Sequence, residues 1–337
     1  MTNSIKSKIV GTGRYHPKKI YTNDDLTSMM DTSDEWIRER TGIKKRHIID
    51  LEAKEYPSFM AQKATEQALE MANMDRNEID LILYSITYSE MSFPNTASLT
   101  QLALGITNKC PCLDINAACT GWAYGLELVD LYLKSGRYKN ILLIGCDVPS
   151  SFLDWEDRNT AVLFGDGCGA MIFQGVENSS EEHDIHLTKL ACDATHAMNL
   201  ALMTGGIRNP ITKEILDAKK YPQTLHMDGK VIFKNAVKTM TDLASSILDK
   251  MNLNQEQIDW LVPHQANIRI IEAIARRFDF PMEKVITNIE DYGNTSSATI
   301  PTAFDEAVRS GKIQRGNKIL FTSFGSGLTS AAGLITY

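Results

Sequence analysis

Cys119, His264 and Asn294 are the residues of this sequence whose types and positions most favour catalysis. Cys119 follows the apolar run CLDI and opens a segment with apolar residues at helical spacing, so we predict that it lies at a helix N-terminus. Unpaired N–H groups and the helix dipole favour a thiolate there, and the thiolate is the reactive form of cysteine. The ordinary alternative is a small apolar residue packed in a tight turn.

His264 and Asn294 also lie where predicted strands or turns lead into helices. His264 follows the strand IDWLV, and Asn294 lies in the turn YGNTSS. Catalytic groups of α/β folds collect at such strand ends, although a structural histidine and an N-cap asparagine are the common alternatives. A cysteine that holds an acyl group, with two donors for a developing enolate or oxyanion, suits thioester chemistry. The last cysteine is Cys192, so the part of the chain around His264 and Asn294 offers no cysteine base for a reversible thiolase.

The glycine-rich and cysteine-containing turns point away from bound cofactors. GDGCG (165–169) leads into an apolar strand, and GTG (11–13) lacks the third glycine of a dinucleotide site. No phosphate-binding loop motif occurs, and CPC (110–112) has no second ligand pair for zinc. We therefore expect no cofactor and no metal. The turn GSG (325–327) could bring backbone N–H groups to a ligand, or it could be a plain hairpin.

An internal repeat indicates two similar halves. Residues 61–80 align without gaps on residues 240–259, and both read as a helix, a polar turn and an apolar strand. A second strand-turn-helix-strand match follows in the same order, and it makes Asn294 the counterpart of Cys119. Alternating strands and helices predict α/β halves with mainly parallel sheets, and the polar connection between the halves is expected at 175–186.

Composition limits the class of protein and its surroundings. The 337 residues include 35 basic and 42 acidic side chains, a net charge of −7 that argues against a whole-molecule binder of nucleic acid or anionic membranes. No apolar run approaches the ~18 residues of a membrane helix, and the first residues lack the apolar core of a secretion signal. Six scattered cysteines are expected to be free thiols. We predict a cytoplasmic protein.

A basic stripe follows His264. Arg269, Arg276 and Arg277 lie roughly on one face of the predicted helix, which suits an acidic partner, although a solvated helix face is the more common explanation of such stripes.

Five segments resemble the β-ketoacyl-acyl carrier protein synthase III family of bacterial fatty-acid synthesis. They are DTSDEWIRERTGIKKRHI (31–48), NAACTGWAYGL (116–126), DRNTAVLFGDGCGA (157–170), WLVPHQANIRII (260–271) and YGNTSSATIP (292–301). The resemblance implies a thiolase-like fold, a duplicated five-layered α-β-α-β-α architecture, here divided into halves 1–175 and 176–337. It also implies a homodimer.

The resemblance assigns roles to individual residues. It makes Cys119 the acyl-accepting nucleophile and His264 with Asn294 the pair that supports decarboxylation of a malonyl group. The backbone N–H groups of Cys119 and Ser326 would form the oxyanion hole. Contacts to coenzyme A (CoA) are implied for Trp36, Arg158, Met227 and Asn267, and Phe93 matches a residue of the acyl pocket. Contacts to acyl carrier protein (ACP) are implied for Lys234, Gln265, Ala266, Asn267, Ile268, Arg269, Arg276 and Arg277.

The chain departs from the family pattern near its end. The family usually has an aromatic residue followed by Thr-Trp-Gly after the glycine turn, whereas this chain has Leu328, Thr329, Ser330 and Ala331. Residues 191–226 are also atypical. These differences bear on the choice of acyl chain rather than on the chemistry.

We therefore predict an acyltransferase that loads an acyl group, acetyl by default, from acyl-CoA onto Cys119 and condenses it with malonyl-ACP, releasing CO₂. One alternative keeps the fold but primes a quinolone, resorcinol or polyketide pathway with another starter. A second is a Cys-His-Asn hydrolase of thioesters or peptides, and a third is a non-catalytic module that binds acyl-CoA or a carrier protein.

Overall fold

The computed structural model describes residues 5–177, 183–214 and 225–337. The strands are β1 (Ile5–Tyr15), β2 (Lys19–Thr22), β3 (Lys45–Ile48), β4 (Leu81–Ser85), β5 (Cys112–Ile115), β6 (Asn140–Asp147), β7 (Gly167–Glu177), β8 (Asp184–Cys192), β9 (Leu200–Leu202), β10 (Leu225–Met227), β11 (Trp260–Pro263), β12 (Lys318–Gly325) and β13 (Thr329–Thr336). The helices are α1 (Asn23–Leu26), α2 (Asp34–Thr41), α3 (Pro57–Ala72), α4 (Thr96–Leu104), α5 (Gly121–Lys134), α6 (Gly229–Met251), α7 (Ile268–Arg277), α8 (Ile289–Tyr292) and α9 (Thr299–Arg309).

Two sheets of matching topology form the core. The first has the order β1-β7-β6-β4-β5, and the second has the order β8-β13-β12-β11. The inner strands pair in parallel in both, β4 with β6 and β11 with β12, while the next pairs are antiparallel. A parallel bridge from Leu261 to Val285 lies where the second sheet would have its fifth strand. The predicted duplication is confirmed.

Side-chain alternation along the strands separates three cores. Leu81 and Leu83 of β4 belong to the core around α5 and α9, which also contains residues of the second sheet. Ile82 and Tyr84, one position along, face the opposite core with α3 and α4. The outer face of the second sheet packs against α6 and α7. The layers therefore run helices, sheet, helices, sheet, helices, and the predicted five-layered architecture is confirmed.

The ungapped match of 61–80 with 240–259 corresponds to structurally equivalent segments. Helices α3 and α6 end at asparagines with left-handed backbone, Asn73 (φ 48°) and Asn252 (φ 53°). Each is followed by a short 3₁₀ turn closed by reciprocal capping bonds before the next strand.

The second repeat match fits at the helix C-termini but not at the N-termini. Helix α5 has 14 residues and α9 has 11. The left-handed residues that open the two preceding 3₁₀ turns are Ala118 (φ 47°) and Ser296 (φ 54°). Ser297, not Asn294, is therefore the positional counterpart of Cys119. The predicted correspondence was wrong because α5 is the longer helix.

The two sheets belong to successive parts of the chain. The first sheet ends at Glu177 and β8 begins at Asp184. Part of the predicted connection, residues 178–182, lies outside the described residues. The division into 1–175 and 176–337 remains a prediction.

Candidate active site

An apolar cavity of about 170 Å³ lies where the two halves meet. Cys119, His264 and Asn294 all line it, and so does Ser326. Most of the remaining wall is aliphatic or aromatic and includes Leu163, Phe164, Leu200, Leu225, Ile232, Phe233, Met240, Ile270 and Phe324. The structure thus brings together the three residues that the sequence singles out.

Cys119 lies in a 3₁₀ turn, Ala118–Thr120, between β5 and α5. The positive φ of Ala118 turns the chain sharply before the cysteine, and Thr120 Oγ1 donates to the carbonyl oxygen of Ala117 at 2.6 Å. The turn places Cys119 immediately before α5, as predicted.

The resting nucleophile is a thiol rather than the expected thiolate. Burial raises the pKa of Cys119 to about 12, and the buried carboxylate of Asp147 acts in the same direction. The Ser296 hydroxyl, 3.4 Å from Cys119 Sγ, lowers the pKa but does not compensate for burial. The expectation from the helix terminus alone was wrong, because desolvation of the sulfur anion is the larger effect. Cys119 therefore needs a proton acceptor.

The neutral imidazole of His264 can accept the proton of the Cys119 thiol. Its backbone N–H donates to the carbonyl oxygen of Thr322 at 2.8 Å, which fixes the residue at the end of β11. Burial lowers its pKa to about 3, so the ring is uncharged at neutral pH. Nδ1 lies 2.6 Å from Thr299 Oγ1, and Nε2 is therefore the ring nitrogen that can serve a group in the cavity.

Asn294 presents its amide with a defined orientation. Its Oδ1 accepts from the backbone N–H of Ser296 at 2.8 Å, so Nδ2 is the donor that can serve the cavity. A parallel bridge to Phe164, with Asn294 N–H donating to the carbonyl oxygen of Leu163 at 2.8 Å, holds the backbone. These bonds explain how Asn294 reaches the cavity without being the counterpart of Cys119.

The glycine turn after β12 packs directly on the nucleophile. A Cβ added at Gly325 would stand 2.9 Å from Cys119 N and 3.1 Å from Cys119 Cβ. Ser326, the next residue, lines the cavity, and its hydroxyl donates to the carbonyl oxygen of Leu200 at 2.5 Å. The Cys119 N–H and the Ser326 backbone are therefore neighbours, as an oxyanion hole requires.

Thr329 joins the two loops that carry those backbone groups. Its hydroxyl oxygen lies 2.8 Å from Thr120 Oγ1, 2.8 Å from the carbonyl oxygen of Ser326 and 3.1 Å from that of Ala117. Of the residues that depart from the family pattern, Leu200 and Leu225 of the segment 191–226 line the cavity, whereas the substituted residues of the C-terminal tail do not. Leu328, Ser330 and Ala331 are all buried among the packed layers.

Trp36 and Arg158 are in contact at the surface. The Arg158 guanidinium lies 5.2 Å from the centroid of the Trp36 ring, and Arg158 Nη1 donates to the carbonyl oxygen of Asp31 at 2.8 Å. Arg40 stands 4.8 Å from the same ring. The sequence reasoning missed Arg40, although its i, i+4 spacing from Trp36 on α2 was the available signal.

Met227 and Asn267 both line the cavity. Met227 also lines a more open depression of about 760 Å³, whose lining includes Asp157 and Asn159, the sequence neighbours of Arg158. Asn267 caps α7, because its Oδ1 accepts from Arg269 N–H at 2.9 Å, and its Nδ2 donates to the Arg40 carbonyl oxygen at 2.9 Å.

The residues predicted to contact ACP divide into exposed and buried sets. Lys234, Arg269, Arg276 and Arg277 are exposed, whereas Ala266 and Ile268 are half-buried against the core around α6 and α7. Gln265 is fully buried, and its Nε2 donates to the carbonyl oxygens of Pro263 at 2.6 Å and Ile286 at 3.2 Å. The assignment of the Gln265 side chain to a carrier-protein surface was wrong, because that side chain satisfies buried backbone groups.

Phe93 does not line the cavity within this chain. Its side chain is 83% exposed. Its assignment to the acyl pocket stays a prediction that would need a second copy of the chain.

Within the described parts of the chain, no three His, Cys, Asp or Glu side chains are grouped so that they could hold a metal ion. Over the same residues, no helix has the length and apolar character to cross a bilayer.

The duplicated fold and the Cys-His-Asn cavity define a condensing enzyme of the thiolase fold, an acyltransferase. Two family models match: 3-oxoacyl-[acyl-carrier-protein] synthase III over residues 113–194, and the C-terminal region of the same enzyme over residues 248–337. The chain belongs to the β-ketoacyl-[acyl-carrier-protein] synthase III family.

Individual related proteins are similar to this chain over nearly their whole lengths. The β-ketoacyl-[acyl-carrier-protein] synthase III of Methylococcus capsulatus is 42% identical over 98% of this chain and 99% of its own. The crystal structure of the Aquifex aeolicus 3-oxoacyl-[acyl-carrier-protein] synthase III has a TM-score of 0.89 at 40% identity, over 98% of this chain and 100% of that one. The priming β-ketosynthase of the R1128 polyketide pathway has the same TM-score, 0.89, at 29% identity, over 100% of this chain and 97% of that one.

Proposed function

We propose that this enzyme loads an acetyl group from acetyl-CoA onto Cys119 and condenses it with malonyl-ACP, giving acetoacetyl-ACP and CO₂ as the first step of fatty-acid synthesis. The main support for the proposal is the shared cavity, in which a half-buried thiol, a neutral imidazole and an oriented amide meet in apolar surroundings. Membership of the family supports the same reaction.

The first half-reaction uses Cys119 and His264 as a neutral pair. As Sγ attacks the thioester carbonyl, His264 Nε2 takes the thiol proton, and the backbone N–H groups of Cys119 and Ser326 donate to the oxyanion. Collapse of the tetrahedral intermediate breaks the bond to the CoA sulfur, which leaves as a thiol with that proton. His264 returns to its neutral form, which its burial favours.

The second half-reaction uses His264 and Asn294 as donors. Asn294 Nδ2 and the Nε2–H of the neutral His264 ring donate to the carbonyl oxygen of the malonyl thioester while the carbon–carboxylate bond breaks and CO₂ leaves. The resulting enolate carbon attacks the acetyl carbonyl on Cys119, the carbon–sulfur bond breaks, and Sγ leaves as a thiolate that takes up a proton from solvent to regenerate the thiol. Because the donors stabilise the developing charge, no strong base is needed.

We further propose that CoA and ACP approach from the side of Trp36 and Arg158. A ring with a guanidinium beside it suits an adenine, and Met227 with Asn267 would border the pantetheine arm. Exposed Lys234, together with Arg269, Arg276 and Arg277, gives the acidic carrier protein a basic surface. We also propose that the enzyme acts in the cytoplasm.

A homodimer is supported by the edge of the first sheet. Strand β5 is its outer strand, and Leu113 on that strand is 44% exposed. Nearby in sequence, Phe93 and Leu102 are 83% and 78% exposed. An edge strand flanked by exposed apolar side chains is suited to symmetric pairing with a second copy.

Intact-mass spectrometry tests the proposed reaction. Incubation with acetyl-CoA should add one acetyl group to the wild type and to Cys192→Ser, which lacks the exposed cysteine, but none to Cys119→Ser. Malonyl-ACP should then remove the label as acetoacetyl-ACP. Release of acetate without a malonyl donor would indicate a hydrolase, and labelling only by other acyl-CoAs would indicate a specialised priming synthase.

A further inference from the structure

Cys110 and Cys112 form a pair of thiols that the proposed reaction does not use. They lie where the chain enters β5, with Pro111 between them, and both are free. Both pack against the core that contains α3 and α4, so their side chains project to the same side of the first sheet.

Pro111 sets the distance between the two cysteines. A proline fixes its own φ and restricts the residue before it to extended backbone, so Cys110 and Cys112 are two positions apart on an extended chain. The carbonyl oxygen of Pro111 accepts from the N–H of Ile82 at 3.0 Å, which holds this segment to β4. An extended chain places Cα atoms two residues apart at about 6–7 Å, the upper end of the separation that a disulfide spans.

The two sulfurs are close to each other and to polar groups of α4. Gln101 Nε2 lies 3.2 Å from Cys110 Sγ, and Cys112 Sγ lies 3.6 Å from the carbonyl oxygen of Cys110. A hydrogen bond between the two thiols lowers the pKa of Cys110 and raises that of Cys112. The pair therefore releases one proton more readily than an isolated thiol does, and the two sulfurs share the proton that remains.

Cys112 is the sulfur of the pair that solvent reaches more easily. It is half-buried, whereas Cys110 is 8% exposed. Side chains stand out of the plane of a sheet, so a second copy paired along the edge of β5 would bind backbone groups in that plane rather than the sulfurs that face α4. Cys146 and Cys168 provide a contrast, because they lie directly opposite each other on β6 and β7 but are fully buried.

We propose that Cys110 and Cys112 are a dithiol site that exchanges with low-molecular-weight disulfides of the glutathione class. Cys112 Sγ, as a thiolate, attacks one sulfur of glutathione disulfide, whose S–S bond breaks as one glutathione leaves as a thiolate. Cys110 then loses its proton and attacks Cys112 Sγ, and the second glutathione leaves. The two protons of the pair pass through solvent to the two glutathione thiolates. The pair is thus oxidised to a disulfide, and glutathione disulfide is reduced to two thiols.

The disulfide that forms is readily reduced again. Its Cα separation is at the upper end of the usual range, and a strained disulfide has a more oxidising reduction potential than a relaxed one. An excess of reduced glutathione therefore returns the pair to two thiols. The exchange requires neither Cys119 nor an acyl group, so it goes beyond the proposed function and is independent of it.

The test treats the full-length enzyme with an excess of glutathione disulfide at neutral pH. Cys119→Ala and Cys192→Ser are included to remove the active-site thiol and the exposed thiol. After removal of the reagent, the protein is unfolded in iodoacetamide and digested with trypsin. Cleavage after Lys109 and Lys134 puts Cys110 and Cys112 on one peptide, with no other cysteine left on it.

We expect that peptide to lose both alkylatable thiols, to retain no glutathione, and to recover both thiols after treatment with reduced glutathione. Cys110→Ser in the same background cannot close the disulfide, so its peptide should retain one glutathione on Cys112. Cys146 and Cys168 are the internal controls, and their peptides should stay fully alkylated.

Three results would overturn the inference. The first is an intact pair that stays fully alkylatable, and the second is an intact pair that retains glutathione, because its sulfurs would then not reach each other. The third is a Cys110→Ser peptide without glutathione, because Cys112 would then not be the attacking sulfur. Equal loss of thiols at Cys146 and Cys168 would also overturn it, since the reaction would not be specific to this site.

Discussion

Thr299 Oγ1 lies 2.6 Å from His264 Nδ1 and 3.0 Å from the carbonyl oxygen of Ser296. The hydroxyl has one proton and two possible acceptors. When it donates to Ser296, Nδ1–H donates to Thr299 and Nε2 is left as a base. When it donates to Nδ1, Nε2–H becomes a donor. The first half-reaction needs the base and the second needs the donor, so the Thr299 hydroxyl, by rotating, can hydrogen-bond with either neutral tautomer; the change of tautomer itself requires one ring nitrogen to gain a proton and the other to lose one.

Replacing Thr299 should therefore impair the condensation while acyl loading on Cys119 remains detectable. Thr299→Val keeps the shape but removes the hydroxyl, and the loss of one buried hydrogen bond of ~1.4 kcal/mol corresponds to about a tenfold lower rate of CO₂ release. Thr299→Ser should restore the rate. The ¹⁵N chemical shifts of His264 should report a changed tautomer in the Val variant only. Equal rates for Val and wild type, or failure of Ser to rescue, would contradict this role.

The high pKa of Cys119 predicts a specific pH dependence of alkylation. A pKa of about 12 means that the thiolate fraction, and with it the rate of iodoacetamide labelling of the Cys119 peptide, should rise about tenfold per pH unit from neutral pH towards pH 10 without a plateau. Ser296→Ala removes a hydrogen bond that lowers the pKa, so labelling should slow at every pH. Peptide mapping separates Cys119 from the exposed Cys192. A plateau in the labelling rate near neutral pH would contradict the high pKa and would mean that Cys119 is a thiolate, as expected from the helix terminus.

The sequence predicts where Cys119 and His264 lie in the fold, but it does not predict the pKa of Cys119. Local patterns placed Cys119 at the start of a helix and His264 at the end of a strand, because both depend on short-range periodicity. The pKa of Cys119 depends on what covers the sulfur, and that cover comes from segments about 170 residues or more along the chain, such as Ser296. Gln265 could not be assigned to the interior for the same reason, since its partners include Ile286 of another segment.

Asn294 should be needed for condensation but not for acyl loading. Asn294→Asp keeps an Oδ1 that can accept from Ser296 N–H but loses the Nδ2 donor. Loss of one oxyanion donor costs ~10²- to 10³-fold in rate, so CO₂ release from malonyl-ACP should fall by that factor. The acetyl label on Cys119, followed by intact mass, should still form. If the Asp variant loses loading as severely as condensation, Asn294 serves the cavity in some other way.

Gly325 should be intolerant of any side chain, because the turn it belongs to packs on the nucleophile. Its backbone is extended (φ −157°), so Gly325→Ala is not opposed by backbone conformation, and the cost lies in the contact of 2.9 Å with Cys119 N. A shift of that N–H away from the oxyanion weakens stabilisation in the loading step, by ~10²-fold on the scale of one lost donor. Overpacking should also lower the free energy of unfolding by about 1–3 kcal/mol.

Gly206→Ala, at a position with open space for a Cβ, is the matched control and should change neither acetyl loading nor the melting temperature. Loading by Gly325→Ala at the wild-type rate would mean that the Cys119 N–H does not contribute to the oxyanion hole.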